Sequence, residues 1–126
     1  MRTTLITFIS FGLLIFTSFT LTENNDNQTP NFVCFVQFNI DKDISLEEAS
    51  SIDSLISTKK GILASRTDFV NDVFFCYTES DAKISEENFI LWFKDLDVPV
   101  SCFNKGIEGK DVQKSISELK NCKNEN

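Results

Sequence analysis

The sequence predicts an α+β sandwich in the order β-α-β-β-α-β, with two helices packed on one face of a four-stranded antiparallel sheet and a further helix appended. Two observations carry this reading. Apolar runs of strand length alternate with segments that are apolar at helical spacing. In addition, Asp41-Lys42-Asp43-Ile44-Ser45-Leu46-Glu47 recurs 40 residues later as Asp81-Ala82-Lys83-Ile84-Ser85-Glu86-Glu87, so the domain has two similar halves and each copy opens a helix.

Residues 1–20 read as a cleaved export signal: Arg2 supplies the positive charge, Leu5 to Phe16 the apolar run, and Ser18-Phe19-Thr20 the small residues at the cleavage site. The run is too short for a membrane span, although Phe19 and Leu21 could extend it into a retained anchor. Residues 21–31, polar and rich in Asn, form a leader. The domain proper is expected over 32–106, and the C-terminal helix and tail over 107–126.

Strand one spans Val33 to Ile40. Helix one follows, with Ser45 placed to cap its free N–H groups and Glu48 to answer it in a capping box. Its apolar face is Leu46, Ala49, Ile52, Leu55 and Ile56, and Lys59-Lys60-Gly61 ends it as a helix C-terminus prefers. Strands two (Ile62 to Thr67) and three (Val73 to Tyr77) turn at Asn71-Asp72. Ser85 caps helix two, whose Ile84 and Phe89 form a hydrophobic staple and whose Phe89, Trp92, Phe93 and Leu96 read as core. Strand four is placed at Val98 to Phe103. Val112, Ile116 and Leu119 lie at helical spacing within Lys110 to Cys122. The whole is the ferredoxin-like arrangement, in which strand one lies between strands three and four.

The full chain carries 12 basic and 19 acidic side chains, a net charge of −7, and loses one more positive charge with Arg2. That balance disfavours nucleic acid as a partner and contact with anionic membranes. The chain contains no histidine, the commonest general base and metal ligand, and its carboxylates sit mostly at helix starts and turns. A non-enzymatic structural or protein-interaction module is therefore expected, with a protein as the candidate partner and no stable membrane insertion after signal cleavage, in the periplasm or outside the cell.

With this topology, a helix ending at Gly61-Ile62 and a second helix leading into Val98-Pro99-Val100, residues 32–106 resemble the heavy-metal-associated domain family of copper chaperones and metal-pump domains. That family holds a soft metal through two cysteines in Met-x-Cys-x-x-Cys, between the first strand and the first helix. The resemblance places the motif on Ile40-Asp41-Lys42-Asp43-Ile44-Ser45, with Lys42 and Ser45 where the family has thiolates. A cation and a hydroxyl cannot replace thiolate donors, so the resemblance implies the fold without the metal loop.

The four cysteines, Cys34, Cys76, Cys102 and Cys122, suit two disulfides in an exported chain. Three pairings exist. Strand topology would bring Cys34, Cys76 and Cys102 to one end of the sheet, which favours Cys34 with Cys102 and Cys76 with Cys122. The alternative is a copper or zinc site built from Cys34, Cys76 and Cys102, although no Cys-x-x-Cys supports it; otherwise no cofactor is expected. On the sheet face away from the helices, strand one would present Val33, Phe35, Gln37 and Asn39, and strand three either Phe74 and Cys76 or Val73, Phe75 and Tyr77. Val33, Phe35 and Phe74 are the candidate binding face, unless Val112, Ile116 and Leu119 of the last helix cover it.

Overall fold

The strand with the strongest apolar signal forms the centre of the sheet. In the computed structural model, which describes residues 31–122, β1 (Val33–Ile40) pairs antiparallel with β3 (Val73–Glu79) on one side and β4 (Val100–Ile107) on the other. β2 (Ile62–Asp68) completes the order β2-β3-β1-β4. The helices α1 (Leu46–Ser57) and α2 (Glu86–Asp95) form the crossovers, and a short α3 (Ile116–Asn121) is appended. This is the expected βαββαβ, ferredoxin-like fold. Residues 1–30, and with them the expected signal peptide, lie outside the described residues. Among the described residues no helix is long and apolar enough to cross a membrane.

Both repeat copies do cap helices. Ser45 accepts from the Glu48 N–H while the Glu48 carboxylate accepts from the Ser45 N–H, and the second copy builds the same box with Asn88 in place of the glutamate. The staple partners Ile84 and Phe89 are both buried. From α1, Ala49, Ile52 and Ile56 enter the core, whereas Leu46 is 63% exposed, outside the face assigned to it from sequence. The Asp53 carboxylate of α1 reaches β2, accepting from the Thr67 N–H (3.2 Å) and hydroxyl (2.8 Å), which fixes the first crossover.

Between sheet and helices lies an aromatic core. Phe38 sits at its centre, with ring centroids of Phe74, Phe93 and Phe103 at 4.8, 5.0 and 4.6 Å. Val36, Ile40 and Cys76 share this face of the sheet with Phe38 and Phe74. Packing at these separations adds to the area term through edge-to-face and offset geometry. Phe74 is therefore a core residue, and its expected place on a binding face is corrected: the pleat puts Val73, Phe75 and Tyr77 on the opposite face.

A second correction concerns β4. It starts two residues later than expected and runs on to Ile107. Gln37 faces Asn104 while Asn39 faces Ser101, so Cys102 and Phe103 together oppose Phe38. This is a β-bulge, and Cys102 takes the left-handed backbone conformation at φ 65. The extra residue returns Phe103 to the core and leaves Cys102 free to point to the other face.

Candidate functional site

Two regions could carry function: the loop joining β1 to α1, and the sheet face opposite the helices. The loop is closed by its own polar groups. Lys42 Nζ lies 3.5 Å from Glu48 Oε1, and Ser45 is engaged as the cap of α1. The Asp41 carboxylate accepts from Asn39 Nδ2 (2.7 Å) and the Ser101 hydroxyl (2.8 Å), and Asp72 accepts from the Ile44 N–H (3.1 Å). Beside the loop, Lys42, Ser45, Glu48, Leu96 and Val98 help to line a shallow cleft of about 340 Å³. No thiol lies in this loop. The donors present do not fit a soft metal, because an ammonium repels it and a neutral hydroxyl is a poor ligand.

The opposite face is where the chain departs from a bare four-stranded sandwich. Phe35, Gln37 and Asn39 of β1 point there and are nonetheless 0, 7 and 4% exposed, because residues after β4 fold back over them. The Gln37 amide grips the backbone of Lys114: Nε2 donates to the carbonyl (3.0 Å), and the Lys114 N–H donates to Oε1 (2.9 Å). Asn104 Nδ2 also donates to that Oε1 (2.8 Å), which fixes the orientation of the amide. Further along, Leu119 of α3 is buried and Lys120 Nζ donates to the Asp72 carbonyl (3.2 Å). The Cys102–Cys122 disulfide closes the strap, spanning a sequence separation of 20.

The strap has little core of its own. Val112 is 88% and Ile116 43% exposed, so of the three apolar residues expected to cover the face only Leu119 does so. A helix of six residues is far below the roughly 12–15 that hold together unaided, so attachments to the sheet order it. Burial of one leucine is worth about 1.5–3 kcal/mol. A disulfide closing a loop of this size adds about 3 kcal/mol, which makes it at least as strong as any other single attachment.

The expected pairings Cys34–Cys102 and Cys76–Cys122 are thus replaced by Cys102–Cys122, with Cys34 and Cys76 as thiols. The reason lies in β4. Because that strand runs on, the residue facing Cys34 is Ile107, and Cys102 stands near the opposite end and on the opposite face. For the same reason Cys34, Cys76 and Cys102 do not assemble, and no group of three or more metal-ligating side chains occurs among the described residues. Cys34 and Cys76 do share the helix-side face, diagonally across β1 and β3, since Cys34 faces Thr78 and Val36 faces Cys76. Cys76 is fully buried, and desolvation pushes its thiol up to about 12.

Of the expected binding face, Val33 is 38% exposed at the mouth of β1, while Phe35 is sealed under the strap. Phe75 and Tyr77, stacked edge-to-face at 4.8 Å, are the part of this face the strap leaves half-open. The sequence places Gln37 on this face but does not reveal its grip on Lys114, and it does not mark Asn104 or Lys120. The available signal was a glutamine and an asparagine inside the most apolar strand, since buried polar groups in a central strand require partners.

No family model and no curated protein matches this sequence. Among solved structures, the fold is similar to the N-terminal domain of a potential copper-translocating P-type ATPase from Bacillus subtilis, solved in solution in the Cu(I)-loaded state. The TM-score is 0.50 at 11% identity, and the match covers 66% of this chain and 99% of that one. At that identity the likeness establishes the fold, in keeping with the resemblance drawn from the sequence. The ATPase domain is spanned almost whole, and a third of the present chain lies outside the match.

Proposed function

We propose that this chain is an exported, non-enzymatic interaction module that uses the scaffold of metal-binding domains without their metal loop. The observation that carries the reading is the β1–α1 loop, where Lys42 is paired with Glu48 and Ser45 is spent on a helix cap. The Cys102–Cys122 disulfide supports an oxidising compartment, periplasmic or extracellular. The half-open Phe75–Tyr77 pair and the exposed Val33 offer apolar area to a protein partner.

A second reading, soft-metal binding, has one observation in its favour: two thiols, Cys34 and Cys76, stand diagonally on one sheet face. Full burial of Cys76 opposes it, because the ligand is the thiolate and burial holds the proton on.

Intact mass with a thiol-alkylating reagent under denaturing conditions, together with elemental analysis for copper and zinc, separates the two. The interaction-module reading expects two additions before reduction, four after it, and no stoichiometric metal. Near one copper or zinc per chain as purified would contradict it.

A further inference from the structure

We infer that the strap formed by residues 108–122 is a redox-controlled cover, and that the Cys102–Cys122 disulfide is its latch: a dithiol reductant opens it, while the βαββαβ domain beneath stays folded. The inference concerns how the face is controlled, and it holds whether or not a metal meets the two thiols.

Three features point to a latch rather than a general staple. First, the strap and the main core are separate: the aromatic core is built from β1, β3, α1, α2 and β4 residues on the helix side, and it contains neither Leu119 nor either bonded cysteine. Second, apart from the disulfide the strap is held by the Glu108 N–H donating to the Val33 carbonyl (2.9 Å) where it leaves β4, one buried leucine, the Gln37–Lys114 amide pair, the Lys120–Asp72 contact and a turn in which the Asp111 carboxylate accepts from the Ile107 N–H. Third, both bonded cysteines are only partly buried, at the bulge and at the end of α3, where an attacking thiolate can reach them.

The step balances as thiol–disulfide exchange. One thiolate of the dithiol attacks Cys122 Sγ, the Cys102 thiolate leaves, and the second thiol of the reductant then displaces Cys122 from the mixed disulfide. Two electrons pass to the protein, which gains two thiols after protonation, and the reductant departs as its own disulfide. In an oxidising compartment the cover stays shut until such a dithiol is supplied. Opening uncovers Phe35 and frees the Gln37 amide from Lys114 while Asn104 still orients it, a surface with an apolar floor and an amide able to grip a peptide group.

The test is amide hydrogen exchange on the full chain in three forms: oxidised, treated with dithiothreitol under native conditions, and carrying Cys122→Ser. The expected result is loss of protection across 110–122 in both the reduced and the substituted forms, with β1 and β3 amides as protected as in the oxidised protein. Tryptic cleavage after Lys114 should appear in step with that loss. Retention of strap protection in Cys122→Ser would overturn the inference, because the disulfide would then be redundant. Loss of protection throughout the sheet would overturn it equally, as would a disulfide that dithiothreitol reduces only once the domain is unfolded.

Discussion

Phe35 lies across the backbone of Gly106, its partner on β4, with ring carbon Cζ only 2.7 Å from the point a Cβ there would occupy. The β-carbon of Asp111 approaches the same point to 2.6 Å. Glycine is needed at this position because ring and strap converge on it. Gly106→Ala should therefore lower stability by about 1–3 kcal/mol through overpacking, read as a lower urea midpoint at unchanged slope. An unchanged midpoint would mean that Phe35 yields without cost.

Phe38 is the hub of the core, with four aromatic rings around it. Replacement by alanine removes a fully buried ring and leaves a void between sheet and both helices. The expected loss is about 3–5 kcal/mol, measurable by chemical denaturation, and Phe38→Leu should recover part of it. A loss below about 1 kcal/mol would contradict the assignment of Phe38 to the centre.

The Asp68 carboxyl is held below the usual carboxylate range, first by the Asn71 side-chain amide and then by the N–H groups of Asn71 and Val70. A carboxyl with a depressed folded value contributes stability above its unfolded value near 4 and loses it as pH falls through the lower folded value. Urea midpoints from pH 6 to pH 2 should thus fall less steeply for Asp68→Asn than for wild type. Equal slopes would show that the β2–β3 turn does not use the charge.

Cys34 and Cys76 should differ sharply as nucleophiles. Burial holds Cys76 protonated, whereas Cys34 sits half-buried near the start of β1. On the folded protein at pH 8, iodoacetamide should modify Cys34 and leave Cys76 unmodified until the domain is unfolded. Peptide mapping of the labelled protein checks this. Equal rates at the two sites would contradict the burial of Cys76.

Most of the scaffold was legible because local signals agreed with one another: serine caps at both repeat copies, a staple at Ile84 and Phe89, and turn residues at Asn71-Asp72. The cysteine pairing was not. It depended on a one-residue bulge at Cys102, and nothing in the periodicity of Val98 to Ile107 marks where the ladder slips. The strap was seen as a helix, but its attachment through Gln37 is a contact 77 residues apart in sequence, beyond the reach of any local pattern.

The proposed function rests on the β1–α1 loop, where Lys42 pairs with Glu48 and Ser45 caps α1, serving the fold and not a soft metal. A Cu(I) titration against a competing chelator addresses it most directly, comparing wild type with a chain carrying Lys42→Cys and Ser45→Cys together. Wild type should leave copper with the chelator, and the doubly substituted chain should withdraw about one Cu(I) from it, since two thiolates at a helix start suit that ion. Withdrawal of copper by wild type at one equivalent would contradict the claim and turn attention to Cys34 and Cys76.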